Sequence, residues 1–198
     1  MAGQPEAPVV VPPAVEPVSL TEAKAHLHYD AADQDARIAA LITAARESCE
    51  VETNRAFMTK TNCLVLDFFP GCRGTIYLPS PPLQSVLSIA YTDTAGNPQT
   101  LAEAAYQVDA LSEPGRLAPA RGCVWPETDP DTLGAVLISY QAGWTDAASV
   151  PAEIKQAILL LVGHWFEQLT PVITGTTQSE LPFTVKMLLA HQKMPFLA

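Results

Sequence analysis

Apolar residues recur at two different spacings along this chain, and the change of spacing divides it. Ser19-Leu20-Thr21-Glu22 fits the S-x-x-E capping box, and Leu20, Ala23 and Leu27 then share one face, predicting a helix from Ser19 to Tyr29. Asp30 stops it, and Asp30-Ala-Ala-Asp33 opens a second helix, predicted from Asp33 to Arg55, with acids at its positive end. Its stripe is Ile38, Leu41, Ile42, Ala45 and Cys49, with Arg37, Arg46, Glu47 and Glu50 largely off it.

From Thr59 to Phe69 the period falls to two. Leu64, Leu66 and Phe68 alternate with Cys63, Val65 and Asp67, the signature of a half-buried strand. Gly71–Gly74 reads as a turn, Thr75 to Leu78 as a short strand closed by Pro79, Pro81 and Pro82, and Val86 to Thr92 as another. Asp93-Thr-Ala-Gly96-Asn97-Pro98 is a strong turn signal, and Tyr106–Asp109 and Gly134–Tyr140 are further strands. Links this short cannot make parallel crossovers, so the pairing is expected to be antiparallel. The helical period returns at Pro151, with Ile154, Ala157, Ile158, Leu161, Val162 and Trp165 on a wide stripe reaching Gln168, and Trp165 expected as a core anchor. A polar loop from Thr170 to Ser179 and a last short helix after Pro182 follow. The pattern predicts an α+β fold: a helical core of two N-terminal and two C-terminal helices, with a small antiparallel β subdomain inserted. Its divisions are a flexible proline-rich arm over 1–18, helices over 19–58, the β-rich insertion over 59–145, and C-terminal helices with a partner-docking tail over 146–198.

Composition narrows the function. With 198 residues the chain can bury roughly 70% of its unfolded surface without a disulfide or metal staple. The net charge of −10 argues against gripping nucleic acid through phosphates, which needs clustered Lys and Arg. No apolar run approaches a membrane span; the longest, Ala157 to Phe166, contains His164. Met1–Val18 lacks a basic start and is broken by prolines 5, 8, 12, 13 and 17, so it is no secretory signal. It reads as an extended, mobile arm, or as one that orders against a neighbouring subunit. Cys49, Cys63, Cys72 and Cys123 show no C-x-x-C pairing and are expected as reduced thiols.

Candidate chemistry is thin. His26 and His28 point about 200° apart on a helix and cannot share an ion with Asp30. Asp30, Asp33 and Asp35 lack the spacing, glycine and terminal Glu of a calcium loop. His164 and Glu167 could form an acid/base pair only with a nucleophile and a cleft. G-x-S-x-G, P-loop and G-x-G-x-x-G signatures are absent. No catalytic, cofactor or metal residue is therefore assigned. The C-terminal segment differs in kind: Leu181, Phe183, Val185, Met187, Leu188, Leu189, Met194, Phe196 and Leu197 make it an apolar strip that either docks on the chain's own helices or inserts into another protein, with Leu181, Phe183, Met187, Leu188, Met194, Phe196 and Leu197 the candidate interface residues. Trp125 and Trp144 sit in turns, where an aromatic plugs a sheet end or meets a partner.

The order of several short motifs resembles the head–tail connector (adaptor) proteins of tailed bacteriophages. These are Val18-Ser-Leu-Thr-Glu-Ala-Lys24 with His26-Leu27, Ile38 to Glu50 with Asn54-Arg55, Leu78-Pro79 with Pro82-Leu83 and Ser85-Val86, and Ile89-Ala-Tyr91 with Asp93 and Gly96. Trp125-Pro126, Tyr140-Gln-Ala-Gly143, Val150-Pro151 with Ile154–Ala157, His164-Trp165, and Gly175 with Glu180-Leu-Pro182 and Leu188-Leu189 continue the series. The likeness spans Val18 to Ala190 and falls nearest the branch of gene-transfer particles and proteobacterial prophages. The Met1–Val18 arm is longer than is usual there, and His191–Ala198 departs from the pattern.

The resemblance implies a non-enzymatic structural protein without cofactors, forming a ring of about twelve copies. Such a ring lies in the virion or particle neck beneath the portal, touches a tail-side neck, stopper or terminator protein, and lets DNA pass its lumen without specific binding or a membrane. It is made in the bacterial host cytoplasm. The alternatives are a small metal-dependent or acid/base enzyme using His164 and Glu167 or the His26, His28 and Asp30 group, and a monomeric partner-binding module.

Overall fold

The computed structural model describes residues 9–167 and 182–194. In chain order these form β1 (Val9–Val11), α1 (Leu20–Leu27), α2 (Asp35–Thr53), β2 (Lys60–Leu66), β3 (Ile76–Tyr77), β4 (Leu83–Thr92), β5 (Pro98–Thr100), β6 (Tyr106–Asp109), β7 (Arg116–Pro119), β8 (Val136–Ala142), α3 (Ala152–Glu167) and α4 (Phe183–Leu189). The fold is mixed α+β, with all strands but β1 inserted in sequence between the first two helices and the last two. None of these helices is long and apolar enough to cross a membrane. Two compact units are distinguished, a helical one containing α1–α4 and a β unit containing every strand.

In the helical unit, α1 starts where the sequence predicts. The Ser19 hydroxyl accepts from the Glu22 amide at 3.2 Å, and the Glu22 carboxylate accepts from the Ser19 amide at 2.7 Å. Those hydrogen bonds hold the Glu22 carboxyl below its ordinary value, the Ser19 side-chain bond contributing most. The helix ends before Tyr29, because His28 takes a left-handed conformation with φ of 51°. The second helix is likewise shorter than Asp33–Arg55, closed by Asn54 at φ 55°. Ile38, Ile42, Ala45 and Cys49 are buried, as the stripe requires, alongside Ile154, Ala157, Ile158, Leu161 and Val162 of α3. Trp165 is only half-buried, so the aliphatic residues rather than the indole anchor α3. Near the end of α3, the Arg37 guanidinium lies 4.9 Å from the Phe166 ring centroid and donates to the Phe166 carbonyl at 3.3 Å, placing a cation at the negative helix terminus.

Arg46, off the predicted stripe, is nevertheless buried. It donates to Glu16 at 2.7 Å and to Glu50 at 2.9 Å, with Glu47 at 3.3 Å. Burial opposes its charge, but Glu50, Glu16 and Glu47 together raise its pKa above the ordinary value. Glu16 also accepts from the Thr43 hydroxyl at 2.9 Å, and Val18 is buried. The last residues of the expected mobile arm are therefore fixed to α2.

In the β unit, a five-stranded sheet runs β1-β2-β8-β4-β5 and a three-stranded sheet runs β3-β7-β6, with every pair antiparallel. Three strands were not read from the sequence: β1 inside the proline-rich arm, and the short β5 and β7. The core gathers Leu64, Phe69, Ile76, Leu78, Ile89, Leu117, Trp125, Ile138 and Tyr140. The alternation predicted to run to Phe69 stops at Leu66, and the chain then turns so that Phe69 is buried while Phe68 is 69% exposed. Gly143 closes β8 at φ 107°, where an added Cβ would lie 2.2 Å from the Met58 carbonyl oxygen, so only glycine fits.

Candidate partner-docking surfaces

The helix α4 follows Pro182 and presents two faces. Val185 and Leu189 are buried, one turn apart, and hold the helix to its unit. Phe183 and Met187, also one turn apart, are 76% and 60% exposed. Leu188 and Met194 are half-buried. Beyond α4, the Met194 amide donates to the Thr53 carbonyl at 2.9 Å and Lys193 pairs with Glu52 at 2.9 Å, tying the end of the described chain to α2. The apolar strip therefore divides by helical period: one stripe docks on the chain's own helices and the other faces outward. Leu181, Phe196 and Leu197, together with the Thr170–Ser179 loop, lie outside the described residues.

The two candidate tryptophans have different settings. Trp125 is 4% exposed, stacked on Phe69 and donating its Nε1–H to the Gly74 carbonyl at 2.6 Å, so it fills the end of the β core. Trp144 is half-buried, its ring 6.3 Å from Phe57 and tilted by 41°. Its carbonyl accepts from both the amide and the hydroxyl of Thr59, each at 3.1 Å.

Sequence reasoning missed a second surface, an apolar cleft of about 390 Å³ lined by Phe68, Phe69, Cys72, Trp125, Thr128 and Pro130 among others. The consecutive pair Phe68-Phe69 was its signal, since a strand cannot bury two neighbours on one face.

The groups weighed for catalysis do not converge. His28 is the exposed cap of α1, while His26 is half-buried near Gly163. His164 is half-buried and Glu167 exposed on α3. Among the described residues, no group of three or more His, Cys, Asp or Glu could hold a metal ion. The free thiols span all settings, with Cys49 buried and Cys72 exposed. Burial first, then Glu50 and Glu52, pushes the Cys49 thiol up to about 12, which keeps it protonated and unreactive.

The chain is a small two-unit α+β protein that leaves Phe183 and Met187 of α4, and Phe68 beside the cleft, exposed. Residues 16–180 match the family described as Head completion protein, and the chain belongs to that family. This agrees with the connector resemblance read from the motifs. No curated protein matches the chain. Among solved structures, it is similar to a chain in the neck of an empty gene transfer agent (GTA) particle computed with C6 symmetry, with TM-score 0.74 and 22% identity over 96% of this chain and 97% of that one. A chain in the virion of a native GTA particle gives TM-score 0.73 at 22% identity, covering 96% of each chain. A chain in the neck of a native GTA particle computed with C12 symmetry gives 0.69 at 23% identity, covering 96% and 97%.

Proposed function

We propose that this protein is a non-enzymatic head–tail connector subunit, a ring component of the neck of a phage-like particle. The observation that carries the reading is family membership over residues 16–180 joined to a likeness over 96% of the chain to neck chains of GTA particles. A ring of about twelve copies beneath a portal, a number compatible with the C12 symmetry of one similar neck structure, requires each subunit to hold exposed apolar surface in reserve. The Phe183–Met187 face supplies such a surface, and the Leu181–Leu197 segment is the part that docks onto the portal or an adjacent subunit. The net charge of −10 suits a lumen past which DNA slides, because acidic walls repel phosphates. A tail-side neck, stopper or terminator protein then binds the opposite face of the ring.

Mass photometry and cryo-EM of the purified chain with a portal ring test this directly. A symmetric ring on the portal is expected; a chain that stays monomeric and unbound overturns the reading. In particles, deleting Leu181–Ala198 should abolish tail joining, but it also removes the buried Val185 and Leu189 and so destabilises the helical unit; normal tailed particles would refute the docking assignment. The milder pair Phe183→Ser and Met187→Ser, both at exposed positions, should lower portal binding without altering stability by more than about 0.5 kcal/mol.

A further inference from the structure

We propose that the apolar cleft beside Phe68 and Trp125 binds a segment of a partner protein in which an apolar side chain is flanked by arginine or lysine. The shape, rigidity and charge of the cleft each support this, independently of the connector reading.

The cleft's volume of about 390 Å³ falls within the range of ligand sites, roughly 300–1,000 Å³. The stacked, buried rings of Phe69 and Trp125 back it, and Phe68, 69% exposed, stands at its side. Aromatic surface of this kind receives aliphatic side chains and also the face of a guanidinium. Three turns make the walls, and hydrogen bonds hold them in place. The Cys72 carbonyl accepts from the Trp125 amide at 3.0 Å, the Thr92 carbonyl from the Asp129 amide at 3.1 Å, and the Asp67 carboxylate from the Gly134 amide at 2.8 Å. A cleft fixed in advance gives up little order when it is filled.

Charge identifies the occupant. Glu127 lines the cleft, and Asp67, Asp93, Asp129 and Asp131 each adjoin in sequence a lining residue, Phe68, Thr94 or Pro130. Segments 67–74, 92–97 and 121–134 hold these five carboxylates against two cations, Arg73 and Arg121. Every lysine and arginine of the chain lies among the described residues, and none of them pairs with any of these carboxylates. Neutral donors hold the Asp93 carboxyl below its ordinary value, the Asn97 amide contributing most, so it stays ionised. The rim therefore keeps an uncompensated negative charge that attracts a cationic partner. A second copy of this chain, itself at −10, is repelled, so the occupant is a different and basic protein.

The test titrates the isotope-labelled full chain with the capped tripeptide Arg-Leu-Arg and follows amide and indole signals by NMR. Saturable shifts are expected at the Trp125 indole and over residues 68–72 and 127–130. Affinity should be severalfold lower for Arg-Ser-Arg and should fall as salt is raised. Phe68→Ser and Glu127→Gln, both at exposed positions, should each weaken binding severalfold while the spectrum stays dispersed. The proposal is overturned by no saturable shift at millimolar peptide, by equal binding of Glu-Leu-Glu, by shifts confined to other residues, or by variants that bind as tightly as the parent. Concentration-dependent shifts of the same signals without peptide would assign the cleft to a second copy and overturn it too.

Discussion

The Trp125 indole lies flat on the Phe69 ring, with centroids 4.9 Å apart and planes 5° from parallel. Phe68, the preceding residue, points outward at 69% exposure. Neighbouring aromatics thus differ in burial, Phe69 completing the β core and Phe68 left exposed, although both border the cleft. Trp125→Ala removes a buried ring and strands the Gly74 carbonyl that accepts its Nε1–H. It should cost about 3–5 kcal/mol, whereas Phe68→Ser should change stability by no more than about 0.5 kcal/mol. Urea unfolding followed by near-UV circular dichroism measures both.

Arg46 is expected to be the most sensitive charged position in the helical unit. It is 4% exposed and faces Glu50, itself 7% exposed, so Arg46→Ala removes the guanidinium that offsets a buried carboxylate. A loss of about 3–5 kcal/mol is expected by thermal or chemical denaturation. The double variant Arg46→Met with Glu50→Leu should recover much of that, since no buried charge remains.

Acid should loosen the β6–β7 hairpin through Asp109. Hydrogen bonds from the Ser112 hydroxyl, Arg116, and the amides of Ser112 and Leu111 lower its carboxyl from 3.8 to about 2. A carboxyl depressed in the fold contributes stability that is complete above its unfolded pKa and lost as pH falls through its folded one. The wild-type hairpin should therefore lose amide protection between about pH 4 and 2. Asp109→Asn should flatten that dependence, as measured by hydrogen exchange across this range.

Alkylation at mildly basic pH should sort the thiols. Cys72, exposed, is expected to react first, and Cys49, buried with its thiol pushed up to about 12, only as the protein unfolds. Peptide mass spectrometry over time in iodoacetamide gives the order. Early modification of Cys49 would contradict the packing described for α2.

Several motifs that carry the family resemblance turn out to hold the scaffold. Ser19 and Glu22 cap α1, Gly143 lets β8 pass the Met58 carbonyl, and Trp125 fills the end of the sheet. The Pro79 carbonyl accepts from the buried Tyr140 hydroxyl at 3.0 Å, and the Pro82 carbonyl from the Gly143 amide at 2.8 Å. These residues are recognisable because each meets a backbone or packing demand that few residue types satisfy.

The short strands β5 and β7 were illegible because their partners supply the register and their own residues show no alternation. β1 was hidden for a related reason. Prolines at 12 and 13 argue against a central strand, but they do not forbid a three-residue edge. Arg46 looked solvent-facing because helical periodicity reports apolar burial and cannot see that Glu16, thirty positions upstream, approaches it.

The sequence by itself determined the order of the four helices and of five of the eight described strands, the first helix cap, the aliphatic stripes of α2 and α3, and the family. These follow from local periodicity, capping chemistry and motif order, which operate within a few residues. Tertiary structure alone decided which apolar residues remained outside. Phe68 differs from Phe69, and Phe183 and Met187 from Val185 and Leu189, only in what each faces after packing. Hydrophobicity states that a side chain gains by leaving water; it does not state whether its own core or a partner will receive it.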